Sequence, residues 1–303
     1  MNTKQWRRKF GLFIISGVVI GVLSACSVGG QSAPEAAAVA PTEAVVEEAA
    51  APTEAAVEES ATGQIPEVEI TKVDGQLTVP DEVPSGPVVF VNNTGVSVDP
   101  VKLNEGVTAD QLMQTLAEDE EAALQLVSLM GGPMSPDMGP TVYDLQPGNY
   151  LMVESDDEGA PTSLAPFTTG DPSGATPPTA DVEVQLVDFA FAIPGEIKSG
   201  PQTWAITNNG TQWHEMAIGK LAEGVTIDDL MTMIMSEEEP DPSQPEPFEL
   251  VAGWSPMGPG LTAWTTIDLP PGEYTILCFL PDLNGDFMPH ASHGMIGSIT
   301  VTP

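Results

Sequence analysis

The sequence predicts a mainly β protein in which two similar sandwich domains follow one another along the chain. Two observations support this fold class. Short runs rich in β-branched and aromatic residues, such as residues 87–91 and 203–207, end in Asn/Gly turns. A series of short motifs also occurs twice in the same order, which indicates a duplicated structural unit. Short strands separated by turn signals are typical of two antiparallel sheets packed face to face, here predicted in Greek-key order.

The repeat extends from residue 68 to residue 274. Six motifs of the first half have counterparts in the second: Val-Glu-Ile at 68–70 and Val-Glu-Val at 182–184, Ser-Gly-Pro at 85–87 and 199–201, Asn-Thr-Gly at 93–95 and Asn-Gly at 209–210, Glu-Gly-Val-Thr at 105–108 and 223–226, Leu-Met at 112–113 and 230–231, and Pro-Gly-x-Tyr at 147–150 and 271–274. We therefore predict domains at residues 65–169 and 181–303, joined by a Gly/Pro-rich linker at 170–180. Amphipathic stretches at 108–130 and 226–236 predict one helical insertion in each domain.

The first 25 residues predict export from the cytoplasm. A basic start is followed by an apolar run at residues 10–23, shorter than the ~20 apolar residues that a membrane-spanning helix needs. This pattern is typical of a secretory signal peptide. The tetrapeptide Leu-Ser-Ala-Cys at 23–26 resembles a bacterial lipobox, which implies that Cys26 is lipidated and becomes the mature N-terminus. A plain cleaved signal or an uncleaved anchor is the alternative. We expect the folded part on the outer face of the cytoplasmic membrane, in the periplasm or at the cell surface.

Residues 26–64 predict a disordered spacer. They are almost entirely Ala, Glu, Pro, Val, Thr, Ser and Gly, and they contain no aromatic residue. Such a segment cannot bury enough apolar surface to offset the loss of chain entropy on folding. Its charge and its prolines favour an extended tether between the lipid and the domains.

The acidic composition excludes one class of partner. The chain carries 8 basic and 44 acidic residues, for a formal net charge of −36. A surface of this charge repels phosphate backbones, so no nucleic-acid binding is expected. It attracts cations and basic proteins, and solubility alone is the simpler explanation of the charge.

The side chains suited to metal binding are concentrated in the second domain. They are His214, Cys278, His290, His293 and Met295. Imidazole, thiolate and thioether ligands suit copper better than a hard cation such as magnesium. The first domain contains no histidine, and the Asn-x-Gly and Pro-Gly-x-Tyr alignments place Asp99 and Glu154 where the second has His214 and Cys278. We therefore expect one copper ion, in the second domain, and a structural or partner-binding role for the first.

The second domain resembles the cupredoxin, or type 1 blue-copper, family over residues 182–301, and the first resembles it in degenerate form. The first histidine follows an Asn/Gly turn, the cysteine ends a strand that begins Pro-Gly-x-Tyr, and a second histidine precedes a methionine by five positions. The resemblance implies that His214, Cys278, His290 and Met295 are the ligands. The gap from Cys278 to His290 is long for the family, so His293 competes with His290 for the second imidazole position.

The resemblance implies one-electron transfer to a basic redox partner. A copper chaperone or sequestering protein that also uses the methionines at 130, 134, 138 and 257, and a metal-free binding module of the envelope, are the alternatives. An enzyme is the least favoured class, because no histidines remain for a second kind of copper centre. Glu215 is a candidate hydrogen-bond acceptor for a ligand imidazole, and Trp213 and Phe279 are candidates for excluding water.

Overall fold

A computed structural model describes residues 63–135, 138–155, 161–235 and 246–303 of the 303-residue chain. The predicted signal peptide, Cys26 and nearly all of the predicted spacer lie outside these residues. All of these described residues belong to one compact unit. Within the described part, every helix is too short or too polar to cross a bilayer.

The first half of the described chain is a sandwich of short strands. They are β1 (Glu67–Val73), β2 (Gln76–Thr78), β3 (Glu82–Asn92), β4 (Val98–Leu103), β5 (Val127–Leu129), β6 (Val142–Leu145), β7 (Asn149–Ser155) and β8 (Pro161–Pro172). The long strand β3 contributes to both layers. Its first residues pair with β8, and its later residues pair with β1 and β6. Strands β8, β7, β4 and β5 form the other layer in that order.

The second half repeats this arrangement, with two separate strands in place of the long strand β3. Its strands are β9 (Val182–Val187), β10 (Ala190–Ala192), β11 (Glu196–Lys198), β12 (Gly200–Asn208), β13 (His214–Leu221), β14 (Phe248–Met257), β15 (Thr262–Leu269), β16 (Gly272–Leu277) and β17 (Ile296–Thr302). One layer has the order β10-β9-β12-β15, and the other has the order β11-β17-β16-β13-β14.

The core of the second half lies between its two sheets. Strand β9 alternates buried and exposed residues, as expected when one face of a sheet packs inward. Leu186, Trp204 and Ile206 from one sheet are buried in the same cluster as Ile276 and Ile299 from the other. The prediction of a mainly β protein built from two tandem sandwiches is therefore confirmed.

Helices cover the outer face of one sheet in each half. They are α1 (Ala109–Glu118) and α2 (Glu120–Leu124) in the first half and α3 (Ile227–Met235) in the second. Thr108 and Thr226, the last residues of the repeated Glu-Gly-Val-Thr motif, accept hydrogen bonds from backbone N–H groups of the first helical turn, at 3.1 Å each. Leu112 and Leu230 are buried against the sheets below.

The first helix is shorter than the sequence predicts. We expected helix over 108–130, but α1 ends at Glu118 and Asp119 adopts an extended conformation. The Asp119 carboxylate accepts a hydrogen bond from the Ala122 N–H at 3.0 Å, so this residue caps a second short helix. Residues 127–129 then form strand β5 beside β4, where the pairing outweighs the local helical pattern.

Each of the two sheet layers in the first half is hydrogen-bonded to a layer of the second half. Strand β15 pairs with β6, with Ala263 opposite Tyr143 and Trp264 opposite Val142, so one continuous sheet crosses the junction. On the other side, residues 129–134 run antiparallel to β14. The Ser255 N–H donates to the Gly132 carbonyl at 2.8 Å, and the Gly258 N–H donates to the Leu129 carbonyl at 2.8 Å. The first half therefore supports β14, the strand that lies next to the one beginning with His214.

Candidate metal centre

Four of the predicted ligands lie at one end of the β11–β14 sheet. His214 is the first residue of β13, Cys278 directly follows β16, and Met295 directly precedes β17. Strands β13 and β16 are antiparallel neighbours, with Ala217 opposite Leu277, so the beginning of one meets the end of the other. Adjacent strands thus carry the first imidazole and the thiol to the same point, although more than sixty residues separate them in sequence.

The donor atoms of three side chains converge. The Nδ1 atoms of His214 and His290 are 3.1 Å apart, and the Cys278 Sγ atom is 3.4 Å from His290 Nδ1. All three donor atoms lie within 4.8 Å of one another. The side chains are enclosed, because Cys278, His214 and Met295 are 0% exposed and His290 is 1% exposed.

Backbone hydrogen bonds fold the ligand loop back onto Cys278. The N–H groups of His290 and Ala291 donate to the carbonyls of Leu280 and Cys278, at 2.8 and 3.0 Å. The Met295 N–H donates to the His290 carbonyl at 3.0 Å, and the Cys278 N–H donates to the Met295 carbonyl at 3.1 Å. These backbone bonds therefore set the positions of all three predicted ligands in this segment.

His293 lies outside this group. Its Nε2 atom is 3.0 Å from the Asp286 carboxylate, and its side chain is 29% exposed. The reason is the short 3₁₀ helix at His290–His293, which turns the second histidine away from the first. The structure thus places His290 beside Cys278 and His293 at the surface of the enlarged loop. Phe189 contacts both rings, with centroid separations of 5.1 and 4.8 Å.

Asp188 holds the other nitrogen of the first imidazole. Its Oδ1 atom is 2.8 Å from His214 Nε2, so the ring donates from Nε2 and presents Nδ1 to the centre. Partial burial raises the pKa of Asp188, but hydrogen bonds from Thr211 and His214 outweigh this and leave the pKa below its usual value. Asp188 was not among the residues predicted from the sequence. The repeat contains a signal, because Asp74 occupies the matching position six residues after Val68, as Asp188 does after Val182.

Glu215 does not have the role that adjacency suggested. Its Oε1 atom accepts a hydrogen bond from the Phe279 backbone N–H at 2.9 Å, which links β13 to the segment after Cys278. The outer nitrogen of the His214 ring is paired with Asp188 instead. Burial raises the pKa of Glu215 to about 8 despite the hydrogen bond from Phe279. The carboxyl is therefore mostly neutral at pH 7.

Burial keeps the histidine ligands neutral and the free thiol protonated. It lowers the pKa of His214, although Asp188 opposes the shift, and it lowers the pKa of His290 to about 4 with a further contribution from His214. Burial, and then the nearby Glu215 carboxylate, raises the pKa of the Cys278 thiol. Neutral imidazoles are ready to bind a metal, whereas the thiol must lose its proton to the solvent when a cation binds.

The donor set fits copper. Three ligands about 2.0–2.3 Å from one ion in a plane lie roughly 3.5–4 Å from one another, close to the Nδ1–Nδ1 and Sγ–Nδ1 separations here. Two imidazoles and a thiolate with a nearby thioether are the ligands of type 1 copper sites. The sandwich gathers these groups at one end, so the site is a candidate copper centre.

The first half lacks this centre, and the sequence alignment of its strand needs a correction. Val101 lies opposite Leu151 as Gly219 lies opposite Thr275, so strand register places Val96, not Asp99, at the position of His214. The segment from Gly95 to Val96 is three residues shorter than the segment from Gly210 to His214. Glu154, the counterpart of Cys278, forms an ion pair with Lys72 at 2.7 Å.

The remaining methionines of interest are mainly packing residues. Met130 and Met257 are 1% and 0% exposed. Their backbones pair as an isolated antiparallel β-bridge at the junction between the halves. Met138 packs against the same core. These positions favour the use of methionine as adaptable core filling rather than as surface copper ligands.

Several solved structures align with part of this chain. An auracyanin from Roseiflexus castenholzii aligns with 40% of this chain and 95% of its own, at 25% identity and a TM-score of 0.28. Auracyanin A from Chloroflexus aurantiacus, a blue copper protein, aligns with 40% of this chain and 98% of its own, at 19% identity and a TM-score of 0.26. A copper-containing nitrite reductase from Thermus scotoductus aligns with 79% of this chain and 64% of its own, at 11% identity and a TM-score of 0.24.

No protein-family model matches the sequence, and no curated protein matches it. Because the TM-scores are low, the assignment of the centre rests on this chain's own strands and side chains.

Proposed function

We propose that this protein is a one-electron carrier that binds a single copper ion through His214, Cys278 and His290, with Met295 as a weak fourth ligand. The observation that carries the proposal is the convergence of two Nδ1 atoms and one Sγ atom in an enclosed site. A copper ion in such a set supplies a centre that accepts or donates one electron with little change of geometry.

The protein contributes to electron transfer by keeping the ligand side chains in fixed positions. The loop hydrogen bonds around Cys278 and His290 fix the positions of these residues, so little reorganisation is needed when the oxidation state changes. Burial of all four side chains excludes water and external ligands. A catalytic metal site keeps a coordination position open to substrate, and this enclosure favours electron transfer instead.

The enclosure also argues against the copper-chaperone alternative. A chaperone must pass its ion to another protein, which is easier when ligands are exposed. The four ligands here are no more than 1% exposed, and Met130 and Met257 are buried elsewhere in the core. The metal-free alternative gives no reason for two imidazole nitrogens and a thiol to share one buried place.

The location and partner are part of the proposal. We infer from the sequence that the protein is exported, lipidated at Cys26 and tethered to a membrane by residues 26–64. The net charge of −36 would steer a basic redox protein towards it. Radiolabelled palmitate incorporation that is lost in Cys26→Ala would support the anchor, and equal labelling of both proteins would refute it.

The absorption spectrum of the copper-loaded protein tests the function. A type 1 site should be intensely blue through charge transfer from the Cys278 thiolate, and Cys278→Ser should remove the colour while the protein stays folded. Stopped-flow measurement of electron self-exchange separates an electron carrier from a chaperone, because only the carrier should exchange quickly. A colourless copper complex with an intact thiol, or no copper retained after dialysis, would contradict the proposal.

A further inference from the structure

Asp188 is well placed to control the His214 ligand. It lies in the turn between β9 and β10, 26 residues before His214, and its Oδ1 atom is 2.8 Å from His214 Nε2. The His214 side chain is 0% exposed, whereas the Asp188 side chain is 30% exposed, so the carboxylate connects a buried ring to the surface. The hydrogen bond leaves the Nδ1 atom unprotonated and aimed at Cys278 and His290.

A second contact fixes the carboxylate itself. The Thr211 hydroxyl donates to Asp188 Oδ2 at 2.6 Å, and the Thr211 backbone N–H lies 3.0 Å from both carboxylate oxygens. Thr211 belongs to the turn that leads directly into His214. The carboxylate therefore joins the turn and the ligand ring, and it cannot rotate away from the imidazole without losing both partners.

Gly210 provides the space for this pair. A Cβ atom at this position would lie 2.5 Å from Asp188 Oδ1 and 2.5 Å from His214 Nε2, the two atoms of the hydrogen bond. The matching glycine of the first half, Gly95, has no atom within 4 Å of the corresponding position and has a φ of 77°. Glycine at position 95 thus allows the left-handed conformation of its turn. Glycine at position 210 instead leaves room for the Asp188–His214 hydrogen bond, which the first half does not contain.

We propose that Asp188 is a positioning residue of the copper centre, which orients His214 for binding through Nδ1 and favours the Cu(II) state, with Gly210 keeping the space that the pair requires. This inference rests on the proposed copper site. Its physical basis is that a carboxylate on the outer nitrogen fixes the ring and increases its basicity, and that its negative charge stabilises the more highly charged ion.

Copper affinity and reduction potential of the full chain provide the first test. We expect Asp188→Ala to weaken Cu(II) binding by about 10–100-fold, the usual effect of removing such a partner. Cu(I) binding should weaken less, and each tenfold difference between the two states raises the potential by about 59 mV. Asp188→Asn retains an acceptor oxygen but no charge, so its affinity should fall less than that of Asp188→Ala while its potential still rises.

Matched controls separate positioning from ordinary stabilisation of the turn. Thr211→Val removes the hydroxyl contact but keeps the Asp188–His214 pair, the backbone N–H contact and the negative charge, so it should weaken copper binding and shift the potential less than Asp188→Ala does. Gly210→Ala should weaken copper binding, whereas Gly95→Ala should affect stability alone. A loss of affinity in Thr211→Val as large as that in Asp188→Ala, or unchanged copper properties in Asp188→Ala, would overturn the inference.

Nitrogen NMR of the metal-free protein provides a test that needs no copper. His214 should be fixed in the tautomer with a proton on Nε2, and this preference should disappear in Asp188→Ala. A His214 tautomer that is unchanged by the substitution would overturn the inference even if copper binds. Failure of the wild-type protein to bind copper would instead overturn the proposed function, because the tautomer result would stand independently.

Discussion

His290 and His293 are three residues apart, but only His290 is placed to bind a metal ion together with Cys278. Both lie in the same 3₁₀ helix, yet one ring faces the Cys278 sulfur and the other faces the Asp286 carboxylate. Spacing to Met295 favoured His290 without excluding His293. Only the direction of each side chain distinguishes them, and that direction follows from the backbone bonds that close the loop.

The two histidines should therefore respond differently to removal. We expect His290→Ala to abolish the blue absorption and to lower copper affinity by several orders of magnitude, because a metal ligand is lost. His293→Ala should keep the colour and change the affinity little. Titration with copper under absorption spectroscopy measures both. Loss of colour in His293→Ala with retention in His290→Ala would reverse the assignment.

The raised pKa of Glu215 predicts that the stability of the metal-free protein depends on pH. Its folded pKa of about 8 lies above its ordinary value of 4.5 because burial penalises the charge. Below pH 4.5 the carboxyl is protonated in both states, so it has no net effect. As the pH rises from 4.5 to 8, the unfolded chain releases the proton while the folded protein keeps it, so the free energy of unfolding falls.

Glu215→Gln should remove this dependence. The amide oxygen still accepts from the Phe279 N–H, but no charge can form. At about pH 9 we expect the variant to be more stable than the wild type by more than about 1 kcal/mol, since each pKa unit corresponds to about 1.4 kcal/mol. Urea unfolding near pH 5 and pH 9 measures the difference. Parallel stability curves for the two proteins would show that Glu215 does not titrate as described.

At the scale of elements, the repeated Pro-Gly-x-Tyr motif does more than form a turn. Tyr150 donates its hydroxyl proton to the Gln146 carbonyl at 2.7 Å, and Tyr274 donates to the Pro270 carbonyl at 2.8 Å. The rings pack inward, so each tyrosine fixes the start of its strand to the preceding corner. In the second half that strand is β16, which leads to Cys278.

Removing either hydroxyl should have a modest and similar cost. We expect Tyr150→Phe and Tyr274→Phe each to lower the free energy of unfolding by about 1 kcal/mol, the usual net value of such a hydrogen bond. The double variant should show nearly the sum, because the two corners share no partner. Denaturant unfolding of the three proteins measures this. A large excess loss in the double variant would indicate that the corners are coupled.

At the scale of the whole molecule, the half without the predicted ligands packs closely against the other. Gly131 adopts a φ of 73°, and a Cβ atom there would collide with the indole of Trp254 in β14. Trp254 is fully buried, and residues 129–134 are bonded along the same strand. The junction is therefore packed closely, and we expect the stability of the candidate centre to depend on both halves.

Gly131→Ala tests this dependence. We expect a loss of about 2–5 kcal/mol, with roughly 1–2 kcal/mol from the left-handed backbone and 1–3 kcal/mol from overpacking against Trp254. Gly106→Ala is the matched control, since Gly106 has a φ of 79° and no atom within 4 Å of the added carbon. Equal losses in the two variants, measured by thermal unfolding, would mean that the contact with Trp254 contributes nothing.

The sequence by itself determined the β-rich repeat, the residues that could bind a soft metal and the half that lacks them. These follow from local patterns, because turn residues, strand periodicity and ligand types are visible without knowing what lies opposite. Only the tertiary structure decided that Asp188 rather than Glu215 holds His214, that Val96 rather than Asp99 is the counterpart of that histidine, and that the two halves share a sheet. Each of these depends on strand register and on side-chain direction across elements that are distant in sequence, which no local pattern specifies.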